Sequence, residues 1–319
     1  MTEELLDDRW RALLRATSRS FYLSLRCVPA RRRTALSLGY LLARAADTLA
    51  DAGELALEQR AAALRALLAA LRGAPLPAAP PIAAVDAAHR ELVARAPELF
   101  ALLARLEPAQ RAPTQRVLAR LLRGMCRELD ELHRVGVVRR STSVQTLCWA
   151  YRAAGCVGAF WDELLALERP PRSPRTRREQ RRQAVRLGLG LQQVNLLRDA
   201  HEDARRSRHL LAGLALDGST PDVERAWTAR ARADLRCGLR YAGEIDGVAR
   251  RDRFAIALPA RLGLATLGRL EERRPQWLAG ERLKISRGAV RRELALAFLD
   301  ALFPARLRRF DGSGARSSA

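Results

Sequence analysis

Residues 187–208 read LGLGLQQVNLLRDAHEDARRSR. Apolar side chains recur there at the three- and four-residue spacing of a helix. Gln192, Asn195, Asp199 and Asp203 are spaced i, i+3, i+7 and i+11, which stacks them in one stripe, flanked by Arg198 and Glu202. A second stretch, residues 35–51, reads ALSLGYLLARAADTLAD and repeats the arrangement, with Tyr40, Arg44, Asp47 and Asp51 on one face among Leu and Ala. One Asp pair at i, i+4 is as readily a solvated helix face. Two such pairs, on helices apolar at most other positions, imply burial on several sides. Like charges so placed repel, and buried Asp pairs call for a cation. Carboxylate oxygens without Cys or His suit Mg2+, which bridges a few carboxylates to substrate phosphates.

Working outward, the same period predicts helices over 3–16, 19–25, 31–51, 55–72, 84–105, 108–134, 142–167, 177–206, 221–247, 252–273 and 287–303. Residues 73–81 (GAPLPAAPP) and the start of 169–182 (RPPRSPRTRREQRR) are Pro-broken loops, the second turning strongly basic. No strand-like alternation persists and no repeat is evident. The expectation is an all-α chain: a single-domain helical bundle over 1–303, followed by a disordered tail over 304–319.

Hydrophobic types are 48% of the 319 residues, enough for a full core. Five Cys without a CxxC, and four His without metal-ligand spacing, argue against a disulfide framework or a zinc site and fit a reducing cytoplasm. The acidic start MTEELLDDRW is no signal peptide, and no apolar run is long enough for a spanning helix. The formal charge of +22 attracts polyanions of several kinds. Every basic residue except Lys284 is Arg, a bias expected of a GC-rich genome, so arginine number is discounted as evidence of function. Arg clusters at 31–33, 176–182 and 306–309 raise nucleic-acid binding as a competing class, but no helix-turn-helix or aromatic RNA-binding pattern accompanies them, and no nucleic-acid partner is expected. A cytoplasmic protein is expected, with peripheral contact at the anionic inner face of the cell membrane as an option.

Two magnesium-binding Asp pairs across an apolar interior suit a reaction that expels pyrophosphate and leaves a carbocation: the metal neutralises the leaving group and the dry cavity keeps water from the cation. At these residues the chain resembles the squalene/phytoene synthase family. TSRSF (17–21) followed by LLARAADTLAD (41–51) is similar to its first aspartate region, and QQVNLLRDAHEDARRSR (192–208) to its second. The resemblance implies the head-to-head isoprenoid synthase fold with a central apolar cavity, and Mg2+ held by Asp47, Asp51, Asp199 and Asp203. It implies diphosphate contacts from Ser18, Arg19 and Ser20, with Phe21, Tyr40, Gln192 and Asn195 in the substrate site. Arg44, Arg198 and Arg208 match family arginines near the diphosphates. Plain N-capping is the alternative use of Ser18, and a solvated surface position that of Arg208. CWAYRAAGCVGAFWDELL (148–165) resembles the family's central helix, in which Tyr151 matches the residue proposed to assist proton removal. Its small residues Ala154, Gly155, Gly158 and Ala159 leave room for an isoprenoid chain or, equally, for helix packing.

Within the family the chain most resembles squalene synthases, which join two farnesyl diphosphates through presqualene diphosphate and reduce the product with NADPH. DTLAD (47–51) is closer to their first motif than to the DELVD typical of phytoene synthases. RFAIALPARLGLATLGRL (253–270) and LKISRGAV (283–290) resemble their reductive region, where Lys284 and Arg287 would meet cofactor phosphates. Ala50, Ala52 and Ser286 depart from the common pattern. No GxGxxG follows a predicted strand, so the NADPH expectation rests on resemblance alone. The same fold also makes phytoene, dehydrosqualene or presqualene diphosphate without reduction.

Overall fold

A computed structural model of the chain describes residues 6–18, 21–83, 85–169, 173–245 and 249–310. The described residues are almost wholly helical: α1 (Asp8–Ser18), α2 (Phe21–Cys27), α3 (Ala30–Ala50), α4 (Leu57–Ala70), α5 (Ala87–Ala94), α6 (Ala96–Ala104), α7 (Pro108–Val135), α8 (Ser143–Ala150), α9 (Cys156–Ala166), α10 (Pro174–Arg205), α11 (Pro221–Glu244), α12 (Arg250–Glu272), α13 (Arg274–Leu278), α14 (Arg287–Leu302) and α15 (Ala305–Arg308). A π-helical turn, Tyr151–Gly155, joins α8 to α9, and two short strands, β1 (Val138–Arg139) and β2 (Arg208–His209), pair in parallel. The chain divides into two compact units, Met1–Val137 with Glu163–Glu168, and Val138–Asp162 with Arg169–Ala319.

In the first unit α3 packs against α4 and α7. Its Ala35, Leu38, Leu41 and Ala45 are fully buried, so Leu and Ala fill the core-facing positions while the stripe through Tyr40, Arg44 and Asp47 is left partly accessible. Arg32, buried within α3, is neutralised by Glu168 at 2.9 Å. The span 84–105 is two helices, not one: the chain turns at Arg95 (φ −97°, ψ 13°), and Pro97 opens α6, a position where proline lacks no intrahelical bond.

The second unit is built on α10, which packs against α11, α12 and the π turn. Glycine makes these approaches possible. A Cβ on Gly188 would lie 2.4 Å from the Ala154 carbonyl oxygen, and one on Gly158 2.0 Å from that of Ala184. The small residues of 154–159 therefore serve helix packing at Gly158, settling that alternative there. On another side of α10, a Cβ on Gly190 would stand 2.9 Å from the Leu235 nitrogen of α11. Helix α10 also starts earlier than periodicity indicates: Ser173 caps it, accepting from the Thr176 amide, and Pro174 sits in its first turn.

The expected tail needs correction over 304–310. Leu307 of α15 is fully buried on α11, and Arg308 Nε donates to the Gly243 carbonyl at 3.1 Å. A Cβ on Gly243 would come within 2.7 Å of Leu307 Cβ, so the missing side chain of α11 makes room for the tail. Residues 311–319 lie outside the described residues.

Candidate active site

In the first unit the stripe on α3 forms a chain of contacts. The Tyr40 hydroxyl donates to the Thr17 carbonyl at 3.0 Å and accepts from Arg44 Nη2 at 3.1 Å. Phe21 stacks on the Tyr40 ring at 5.6 Å, and the Arg44 guanidinium lies 5.5 Å from the same ring centre. Arg44 then reaches Asp47 at 3.6 Å. Burial works against the Arg44 charge, but Tyr40, Asp47 and Asp51 outweigh it and hold its pKa above the ordinary value. Tyr40, Arg44 and Asp47 thus adjoin one another along one face, as their spacing predicts, with Phe21 against Tyr40, and Asp51, exposed, caps the C-terminus of α3. Ser18 is different. It ends α1, and its buried hydroxyl donates to the Leu14 carbonyl. Arg19 and Ser20 lie outside the described residues.

In the second unit Asp199 is gripped by its neighbour Arg198, with Nε–Oδ1 2.9 Å and Nη2–Oδ2 2.5 Å. That bond, offset by burial and aided by Asp199, Glu202 and Asp203, raises the Arg198 pKa. Gln192 and Asp203 are half-buried on α10 and Asn195 is exposed. Neighbouring Gln193, fully buried, is the structural one: it donates to Asp234 Oδ2 at 3.0 Å, while Arg186 Nε donates to Oδ1 at 2.7 Å, which neutralises a buried carboxylate. Arg208 follows Ser207, whose φ of 57° is left-handed, and is held in β2 by the Val138 amide donating to the Ser207 carbonyl at 2.8 Å. A non-glycine residue there costs about 1 kcal/mol or more, borne by the strand pairing around it.

Tyr151 begins the π turn, packed on α10. Such turns place one extra residue in a helical ladder and recur at functional sites. The turn leans on glycine, since a Cβ on Gly155 would meet the Tyr151 ring at 2.9 Å. Tyr241, by contrast, is wholly buried. Its hydroxyl donates to Asp162 at 2.7 Å, and burial and then the Asp162 charge push its pKa well above the ordinary value, so it stays a neutral structural donor.

Lys284 and Arg287 are both exposed, the first in the loop before α14 and the second in its first turn. Ser286, which departs from the family pattern, caps α14 by accepting from the Ala289 amide at 3.1 Å. Sequence reasoning missed Arg282, which approaches Asp199 at 3.8 Å and Glu202 at 3.6 Å. Its place two residues before Lys284 was a signal, hidden by the abundance of Arg. Trp277 anchors this loop: its Nε1 donates to the Leu197 carbonyl at 2.9 Å and its ring meets His201 edge-on at 5.6 Å. Burial, and then Arg205, depress the His201 pKa.

A helical body presenting Asp, Arg and Gln from beside the apolar middle of α10, and a second presenting Asp and Arg from α3, define a helical protein with carboxylate-bearing core helices. The family model for squalene/phytoene synthase matches residues 14–289, and the chain belongs to the squalene/phytoene synthase family. A phytoene synthase of Mycobacterium tuberculosis is 31% identical over 206 residues, 65% of this chain and 57% of that protein. The chain thus matches rather more than half the length of that relative. A 15-cis-phytoene synthase of Synechococcus elongatus is 38% identical over 74 residues, 22% of this chain and 24% of that protein. Among solved structures, a complex of TcSQS with a ligand superposes with a TM-score of 0.74 at 20% identity, covering 98% of this chain and 94% of the other. The squalene synthase HpnC of Alicyclobacillus acidocaldarius gives 0.55 at 20% identity, covering 83% and 92%. At such identities these structures establish the shared fold.

Proposed function

We propose that this chain is a Mg2+-dependent prenyltransferase that joins two farnesyl diphosphates head to head through presqualene diphosphate and, with NADPH, yields squalene. The observation that carries the reading is the pair of stripes: on α3 and on α10, Asp, Arg and polar side chains stay accessible on helices otherwise sunk in Leu and Ala. An all-oxygen donor set in pairs suits Mg2+, an ion that takes part of its shell from phosphate and water. Asp47 with Asp51 on α3, and Asp199 with Asp203 on α10, would each hold such an ion. Bound there, Mg2+ would offset the charge of the departing diphosphate.

The chain's own groups do the rest. Arg44, Arg198 and Arg208 meet diphosphate oxygens, for which a guanidinium has matching geometry. Ionisation breaks the C–O bond, and its electron pair leaves with the diphosphate. The double bond of the second substrate attacks the allylic cation, and a proton leaves as the cyclopropane closes. Tyr151 Oη is the group proposed to assist that proton's departure. The C–O bond of presqualene diphosphate then breaks, its electron pair leaving with the second diphosphate, and a hydride would close the rearranged cation; Lys284 and Arg287, exposed beside the start of α14, suit the phosphates of NADPH, which would supply that hydride.

A second reading has equal support: the curated relatives are named phytoene synthases, which favours coupling of longer prenyl diphosphates without reduction. Incubation with farnesyl diphosphate and Mg2+, with and without NADPH, followed by gas chromatography–mass spectrometry, separates them. Squalene formed only with NADPH supports the first. Presqualene diphosphate or dehydrosqualene in both tubes removes the reductive half. Turnover of geranylgeranyl diphosphate alone, giving phytoene, replaces the first reading with the second.

A further inference from the structure

We infer that the outward face of α14, with the turn after it, is a docking surface for an anionic lipid bilayer. Phe298 and Phe303 are each 58% exposed and Leu299 38%. Residues 291, 295, 298, 299 and 302 share one helix face, and Phe303 follows as the C-cap of α14. The chain has only seven Phe, so two on one exposed face is a concentration the core does not explain. Nor is α14 loosely docked. Ala297, Asp300 and Ala301 are buried on its other side, and the Asp300 carboxylate accepts from Arg261 Nε at 2.5 Å and from Arg306 Nε at 3.3 Å. A buried carboxylate between two guanidinium groups fixes the rotation of the helix, and with it the direction of the aromatic face.

Charge selects the partner. The two acids within residues 287–310, Glu293 and Asp300, both turn inward to Arg261 and are 12% and 0% exposed. The outward side carries Arg287, Arg291 and Arg292 before the apolar stretch and Arg309 after it, all exposed, whereas Arg308 turns to the Gly243 carbonyl. An apolar, aromatic centre between basic ends, with no exposed carboxylate, matches a membrane interface: the rings enter the acyl boundary while the guanidinium groups stay at lipid phosphates. Nucleic acid would satisfy the arginines and leave the rings against phosphate. A few side chains are also well short of the roughly 800 Å² per partner of a stable protein interface. Among the described residues no helix is long and apolar enough to cross a membrane, so the contact is peripheral.

The test is co-sedimentation of the full chain with phosphatidylcholine vesicles, with and without a quarter phosphatidylglycerol. Wild type should bind the anionic vesicles and be released by high salt. F298S/F303S should bind them about tenfold more weakly. Since both rings are exposed, its melting temperature should match wild type. R291Q/R292Q should lose about tenfold as well, along with most of the salt dependence. Should the Phe variant not fold, the Arg variant decides alone. Equal binding by wild type and variants would overturn the inference. So would equal binding to neutral vesicles, or wild-type self-association without lipid that F298S/F303S abolishes, which would make the face a contact between copies. DNA binding that weakens in step with vesicle binding in the Phe variant would likewise overturn it in favour of a nucleic-acid surface.

Discussion

Substituting Gly158 by Ala sets two physical terms of opposite sign against each other. In an exposed helix the change stabilises by about 1 kcal/mol, because Ala loses less backbone freedom than Gly. Here the new Cβ would lie 2.0 Å from the Ala184 carbonyl oxygen, 2.7 Å from its carbon and 3.2 Å from the Val185 nitrogen. These are backbone atoms of α10 and cannot rotate aside. The helices must part by roughly 1.5 Å to restore van der Waals contact near 3.5 Å. Overpacking costs about 1–3 kcal/mol, and an unyielding neighbour puts this case at the upper end. The net expectation is ~2 kcal/mol of destabilisation, a fall of about 3 °C in melting temperature. Gly268→Ala is the control: it lies within α12 and its Cβ would meet nothing within 4 Å, so propensity alone acts and stability rises by about 0.5–1 kcal/mol. Melting both variants by circular dichroism decides the matter. If G158A melts at or above wild type, as G268A should, the close crossing of α9 and α10 is wrong.

Asp199→Asn should lower pyrophosphate release from farnesyl diphosphate by about 100-fold or more while shifting the melting temperature little, and chelation by EDTA should abolish turnover until Mg2+ is restored. Trp277→Phe removes the Nε1 donor from the Leu197 carbonyl and should cost about 1–2 kcal/mol in a guanidinium midpoint, with faster hydrogen exchange over residues 279–286. Asp86 caps α5, and its bonds from the His89 side chain and amide lower its pKa from 3.8. Asp86→Ala should therefore cost about 1 kcal/mol at neutral pH. A depressed carboxylate pKa gives stability above the unfolded value that is lost as pH falls through the folded one, so urea midpoints of mutant and wild type should converge below about pH 3.

Much of this site was readable in one dimension, for a local reason. Tyr40, Arg44 and Asp47 touch because a helix brings residues three and four apart together, and the same geometry aligned Gln192, Asp199 and Asp203 on α10. The Leu and Ala between them marked both helices as core. The break at Arg95 and the early start of α10 were harder, since each turns on a proline in a first helical turn, where it is tolerated.

Distant partners were beyond sequence reading. Nothing in residues 148–165 says that Gly158 faces the Ala184 carbonyl rather than a prenyl chain; only the crossing of α9 and α10 does. Spacing sets Gln192 on the polar stripe, but only the packing of α10 against α11 makes Gln193 the buried partner of Asp234. Arg282 was one arginine among many until Trp277 pinned its loop to Leu197 and brought it near Asp199. The sequence by itself determined the helices, their polar stripes and the family. The tertiary structure decided which small residues pack, which amides are buried and that 304–310 is held by Leu307, because those outcomes depend on contacts between residues far apart in the chain, which helical periodicity does not encode.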